Sequence, residues 1–302
     1  MERKLLPGIT IFTPTYNRAH TLERLYESLP KDSGEFEWLV VDDGSTDGTG
    51  SLVASFVAED KIPIRYVYKE NGGKHTALNE GIRLAGREYF LCLDSDDALA
   101  PGAVELLMAC IRNQNPGGII AYKSLLDSDE RIGPAFPEGL TESTLFDLIN
   151  VHGCAGDRTL VYRTEILLKN LIPEPKGVKF FPETYLYDRF DEACISMLLP
   201  KVICRCEYQQ GGYSASFRML MIRNAVAMKW FYGARIDMKS SFRVRMGNVY
   251  RYGAYALLCP GKTGKYRGKY RYLLLLAWPK ALIMYMVYGY YRFRDKKKRS
   301  RK

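Results

Sequence analysis

Tyr89-Phe90-Leu91-Cys92-Leu93-Asp94-Ser95-Asp96-Asp97 runs from an unbroken apolar stretch straight into acid. A short apolar run bounded by polar residues reads as a buried strand, and here the acid marks its carboxyl end. The same device recurs upstream. Ile9-Thr10-Ile11-Phe12-Thr13 leads into Pro14-Thr15-Tyr16-Asn17-Arg18, and Glu37-Trp38-Leu39-Val40-Val41 leads into Asp42-Asp43-Gly44-Ser45-Thr46-Asp47. Ile64-Arg65-Tyr66-Val67-Tyr68 is a further strand, followed by a loop through Asn71-Gly72-Gly73. Helices are expected over residues 21–29, 50–58 and 76–85, beside turn and cap residues. Strands alternating with helices predict an α/β fold with a mostly parallel sheet, and such sheets bind ligands at the carboxyl ends of their strands.

Downstream the pattern loosens. Ile119-Ile120-Ala121-Tyr122 and Thr159-Leu160-Val161-Tyr162 read as strands, and residues 185–198 as an amphipathic helix. Past Gly211-Gly212-Tyr213 the chain turns basic and aromatic, with helical apolar spacing over 219–231 and 245–258. Pro260-Gly261-Lys262-Thr263-Gly264 is the clearest late boundary, and no internal repeat or low-complexity linker is visible.

The 302 residues suffice for a substantial core. A net charge of +10 calls for an anionic partner, whether phosphate, nucleic acid or a membrane surface. No nucleic-acid motif accompanies the charge, and that class is set aside. The seven cysteines are scattered, and Cys204-Arg205-Cys206 has neither zinc nor redox spacing, so they read as reduced thiols of a cytosolic protein. His20, His75 and His152 form no metal-ligand spacing. The opening from Met1 to Gly8 lacks the apolar core of a signal peptide, and a cytoplasmic location is expected.

Asp94-Ser95-Asp96 is the sharpest chemical signal. Two carboxylates one residue apart at a strand end can face one hard cation, Mg2+ or Mn2+, and bridge it to a diphosphate. Such an ion neutralises charge growing on a departing phosphate. A lone D-x-D also serves as an ordinary turn or helix cap, so its neighbours decide. Asp43 closes an earlier strand and can accept from a pyrimidine N–H, although an Asx turn uses the same residue. Thr13, Pro14, Thr15, Tyr16 and Arg18 complete the outline of a base and ribose pocket, in which Tyr16 supplies a ring face and Arg18 a positive charge.

Thr13 to Arg18, Val41 to Asp47, Asn71-Gly72-Gly73-Lys74 through Asn79-Glu80-Gly81, and Asp94 to Asp97 together make residues 9–101 resemble the N-terminal half of a bacterial-type family 2 glycosyltransferase. The resemblance implies a GT-A (Rossmann-like) fold, a mixed sheet flanked by helices with a C-terminal helical extension. It implies a catalytic domain over 1–215, with a nucleotide-sugar-binding half at 1–101 and an acceptor-binding half at 102–215, while composition and apolar spacing make 216–302 a helical, basic, membrane-associating region. It also implies inverting transfer from a UDP-sugar to a hydroxyl of a glycan or lipid-linked acceptor, as in bacterial capsule, O-antigen or exopolysaccharide synthesis. By the same resemblance Asp43 contacts uracil, Asn79 lies in the donor site, Asp94 and Asp96 flank the diphosphate around Ser95, and Asp96 ligates the metal. Many relatives place an arginine where this chain has Leu78; Lys74 is the nearest replacement charge, unless it is a solvated surface lysine.

An inverting transferase needs a carboxylate to take the acceptor hydroxyl's proton. Phe181-Pro182-Glu183-Thr184-Tyr185 resembles the segment that carries this base in some bacterial members, which makes Glu183 the expected base. A glutamate that merely favours the helix dipole would look the same. Asp188 and Asp191, further along that helix, are the competitors. Asp157 is an acceptor-site candidate or a turn residue. The segment 210–216 resembles one that closes over the diphosphate, bringing in Tyr213 and Ser214, with Arg218 and Arg223 as further charge. Two rivals stand beside this reading. One is a catalytically silent sugar-nucleotide-binding or membrane scaffold protein, which intact Asp94 and Asp96 argue against. The other is a nucleotidyltransferase, whose glycine- and arginine-rich loop after the first strand is missing here.

Residues 270–291 are rich in leucine, tyrosine and methionine, and a basic run from Lys296 to Lys302 follows. About twenty apolar residues suffice to span a bilayer. Pro279-Lys280 interrupts them, however, and a central lysine costs on the order of 2.5–3.5 kcal/mol on insertion scales. Docking on an anionic membrane surface, peripheral to the inner face of the cell membrane, is expected instead, with a buried helix and solvated tail as the plain alternative.

Overall fold

The computed structural model describes residues 4–31, 33–128, 130–207, 213–261 and 265–299. The chain parts into two compact units, Met1–Ile172 with Leu186–Tyr208, and Pro173–Tyr185 with Gln209–Lys302.

In the first unit β1 (Leu6–Thr15) is the hub, flanked in parallel by β2 (Phe36–Asp42) and β4 (Arg87–Cys92). Parallel β3 (Ile64–Tyr68) lies outside β2. Every residue of β2 is buried, as a strand covered on both faces requires. On one face α1 (Ala19–Ser28) and α2 (Thr49–Ala58) bring Tyr26 and Phe56, stacked 4.1 Å apart, against Trp38. On the other, α3 (Lys74–Leu84) crosses Phe12 so closely that a Cβ at Gly81 would lie 2.3 Å from the ring. Only glycine admits that approach.

The sheet turns mixed beyond β4. Here β8 (Arg158–Arg163) is antiparallel to both β4 and β6 (Gly118–Leu125), whereas β9 (Ser196–Cys206) runs parallel to β6. The short strands β5 (Ala98–Leu99) and β7 (Glu142–Ser143) both pair with β9. The order is therefore β3-β2-β1-β4-β8-β6-β9-β5, with β7 off that path. Further helices of this unit are α4 (Ala103–Gln114), α5 (Leu145–Asn150) and α6 (Thr164–Leu168).

The expected elements of residues 9–101 are all present, with ends shifted by a few residues. One expectation fails: the helix over 185–198 stops early, as α7 (Thr184–Ala193), and the rest begins β9. The paired register slips between Leu199 and Val202, so Pro200 occupies an irregularity where its missing N–H leaves no ladder position empty.

The second unit is helical: α8 (Tyr213–Arg223), α9 (Ala225–Asp237), α10 (Phe242–Leu258) and α11 (Leu273–Arg299). The single helical stretch expected over 219–231 is two helices divided at Asn224. Ser241 caps α10 by accepting from the Val244 N–H, and Val249, Tyr252, Leu273 and Ala277 form a buried cluster with Ile236.

Candidate active site

The four parallel strands deliver their carboxyl ends side by side. At the end of β2 the two aspartates divide the work. Asp42 accepts from the Ser45 N–H and the Tyr66 hydroxyl, both at 2.7 Å, which ties the turn to β3. Asp43 is buried, and its carboxylate accepts from Lys69 Nζ at 2.7 Å, the Gly72 N–H at 2.8 Å and the Gly73 N–H at 2.7 Å. Asp43 thus organises the loop entering α3 before any ligand is considered. A carboxylate has about four acceptor positions, so one remains on Asp43 for a base N–H. Asn17, at φ 52°, joins the first strand end to the same turn: its N–H donates to Ser45 Oγ and its Oδ1 accepts from the Thr46 N–H.

At the end of β4 the acid cluster is held from three sides. Lys74 Nζ lies 2.7 Å from Asp94 Oδ1. Crowding by protein atoms works to raise the Asp94 carboxyl's pKa, but Lys74, Lys123 and Arg18 outweigh it and hold the group below the ordinary carboxylate value. Asp97 turns inward to Lys123 Nζ at 2.8 Å; burial pushes its carboxyl up to about 6 against that ammonium, with Asp94 and Asp96 adding to the push. From the helix side Arg24 donates to the Asp96 carbonyl at 2.7 Å and pairs with Glu207 at 2.9 Å. The Asp96 carboxylate itself has no ion-pair partner among the described residues. Burial, Asp97, Asp157 and Asp96 all help to raise the Cys206 thiol to about 11, against Lys123, so exposed Asp157 shares this neighbourhood.

These residues fit a hard divalent cation. Asp94 is kept ionised, and Asp96, half-buried one residue on, offers a second oxygen donor. Among the described residues no group of three or more His, Cys, Asp or Glu converges on one point, so an ion held by Asp94 and Asp96 would need further oxygen donors from phosphate or water.

Several expected contacts need correction. Thr13 is fully buried and accepts from Trp38 Nε1 at 3.0 Å, and Asn79 is fully buried with both ends of its amide on the Ile172 backbone, at 2.7 and 2.9 Å. Both are framework residues with no surface to offer a nucleotide. Pro14, Thr15 and Ser95 are likewise buried, whereas Tyr16 is half exposed and Arg18 partly so. Asp188 is buried, and Asp191 accepts from the Phe146 N–H at the start of α5, so neither competitor stands open to an acceptor. Glu183, half-buried just ahead of α7, belongs to the second unit, as do Arg218, which donates to the Tyr291 hydroxyl, and Arg223, which is paired with Asp295. Residues 210–212 lie outside the described residues, as do the side chains of Tyr213 and Ser214.

Three residues that hold the strand-end acids are not signalled by the sequence motifs. Lys123 is a charge inside an apolar strand, and a buried charge demands a partner, which was the available signal. Lys69, just past β3, carried only its place at a strand end. Arg24 carried none, because a helix-surface arginine is ordinary.

The family model described as Glycosyl transferase family 2 matches residues 10–160, half of the 302 residues. The chain belongs to glycosyl transferase family 2. Among its relatives, an uncharacterized glycosyltransferase of Rickettsia typhi is 32% identical over 159 residues, covering 49% of each chain. Validoxylamine A glucosyltransferase of Streptomyces hygroscopicus subsp. jinggangensis is 34% identical over 120 residues, 38% of this family 2 chain and 28% of the relative. The chain thus spans half or less of the length of these two curated relatives. Among solved structures, S. aureus TarS 1-349 in complex with UDP-GlcNAc is similar with a TM-score of 0.57 at 18% identity, over 92% of this chain and 81% of that one. The mannosyltransferase PcManGT of Pyrobaculum calidifontis, in complex with GDP-Man and Mn2+, gives 0.54 at 20% identity, over 96% and 86%. These likenesses show the GT-A fold.

Proposed function

We propose that this family 2 chain transfers a sugar from a UDP-sugar to a hydroxyl of a glycan or lipid-linked acceptor, with inversion, in bacterial surface glycan synthesis. The observation that carries the reading is the strand-end acid pair Asp94 and Asp96, with Lys74 2.7 Å from Asp94 and Lys123 2.8 Å from the adjoining Asp97. Opposed charges of this kind suit a diphosphate and its counter-ion. Asp94 and Asp96 would hold Mg2+ or Mn2+, which supplies charge neutralisation to a departing diphosphate. Lys74 serves as a point charge beside the phosphates, and the free acceptor position on Asp43 reads the base. Glu183 is the base that takes the acceptor proton, and the inward commitments of Asp188 and Asp191 favour it over them.

The test is a thermal-shift panel of nucleotide sugars with and without Mn2+, since a donor that binds the folded chain raises its melting temperature. A UDP-sugar is expected to do so only with metal, and Asp96→Asn to abolish the shift while keeping the apo melting temperature. Glu183→Gln should keep the shift and slow transfer by about 10²–10⁴. If no UDP-sugar stabilised the wild type and none released UDP, the reading would fall.

A further inference from the structure

Helix α11 has two unlike faces. Leu273, Ala277 and Ala281 are buried along one of them, where the ring of Tyr288 lies 5.1 Å from that of Tyr255 on α10. On the other, Leu275 is 81% exposed and Phe293 66%, with Leu276, Ile283, Met286 and Tyr290 exposed between them. At helical periodicity these six fall in one stripe, about 27 Å long at 1.5 Å per residue. No charge interrupts it: Lys280 lies at the margin with its ammonium 4.2 Å from the centre of the Tyr250 ring, and Arg292 falls on the far side of the helix. Scattered exposed apolar residues are ordinary, but a continuous uncharged stripe of this length marks a docking face.

We infer that this face of α11 lies in the plane of an anionic lipid surface, its apolar stripe in the acyl boundary and its cationic end among the headgroups. Leu273–Asp295 is long and apolar enough to cross a bilayer. A crossing helix, however, presents apolar groups all round, whereas α11 carries Lys280 at mid-length and is packed on one side by α10, which bears Arg243, Arg245 and Arg251. Charge also selects lipid over a second copy of the chain. Asp295 is the one acidic residue of α11 and is taken by Arg223, so the end bearing Arg292, Arg294 and Lys297 offers no anion to another such helix. Anionic headgroups complement that cationic end, and Tyr290 on the stripe suits the interface.

The test is co-sedimentation of the full chain with vesicles of phosphatidylcholine alone or mixed with phosphatidylglycerol, across a salt series. Binding is expected to the mixed vesicles, weakened by salt and reversed by alkaline carbonate. Ile283→Glu with Met286→Glu, both at exposed positions, should reduce partitioning by at least about tenfold. Arg294→Gln with Lys297→Gln should weaken binding to the mixed vesicles and lessen its salt dependence. Should the glutamate variant misfold by circular dichroism, the glutamine variant carries the same test. Three results would overturn the inference: equal recovery in the supernatant with both vesicles, resistance to carbonate, which would make α11 a span, or a vesicle-independent dimer that the glutamate pair dissolves.

Discussion

Arg24 reaches from α1 to the carbonyl of Asp96 with one guanidinium nitrogen and to Glu207 with another, so a helix, the acid turn and the end of β9 share one tie. It touches no carboxylate oxygen of the acid pair, yet its bond to the Asp96 carbonyl fixes the backbone that aims that side chain. Arg24→Ala is expected to weaken metal-dependent UDP binding by about tenfold, the lower range for groups that orient a metal ligand. A Mn2+ titration with UDP checks this; an unchanged midpoint with a lower melting temperature would make the tie purely structural. Asp191 argues a different case. Burial, with Asp188 and Asp147, pushes its carboxyl from 3.8 to about 7 against the N–H groups of Phe146 and Leu145. Between those values the folded chain holds a proton that the unfolded chain has released, so this group's contribution is full at acid pH and is lost as pH rises toward 7. Asp191→Asn keeps an acceptor for Phe146 but cannot ionise. Its melting temperature should therefore change less than the wild type's between about pH 4 and 7. Equal slopes would place the titration elsewhere.

At the scale of elements, the loop between β3 and α3 is where backbone and site meet. Gly73 sits at φ 97° and ψ 154°, a region essentially closed to other residues, with its N–H on Asp43. Gly73→Ala should cost about 1–3 kcal/mol of stability and weaken uridine binding together. Denaturant melts and UDP titration of one sample separate the two losses, and a normal melt would show that the loop tolerates the side chain. The N-terminal elements were legible because each buried strand is a clean apolar run closed by turn residues. β9 was not. Tyr185 to Phe190 has true helical spacing, nothing in Cys194-Ile195-Ser196 forbids its continuation, and Pro200 argues against a strand unless an irregularity absorbs it. The site divides the same way. Asp43, Asp94 and Asp96 stand at strand ends, where the pattern points; Thr13 and Asn79 match the same motif but serve the framework, a distinction that only burial reveals.

At the scale of the molecule the first unit is discontinuous: the chain leaves it after Ile172 and returns at Leu186. The strand that returns is interior, since β9 lies between β6 and the short strands β5 and β7. A fragment of residues 1–172 would leave the apolar edge of β6 unpaired, a template for pairing with other chains. Such a fragment is expected to aggregate, and light scattering on refolding would register it; a stable monomer would mean that β9 is dispensable. The family model ends at residue 160, well short of that strand. During synthesis, then, all four parallel strands and the acids at their ends leave the ribosome long before the sheet can close. At about 5–20 residues per second the nascent chain waits several seconds for its last interior strand. That interval, in which β6 is exposed, is where a chaperone would find its most natural grip on this protein.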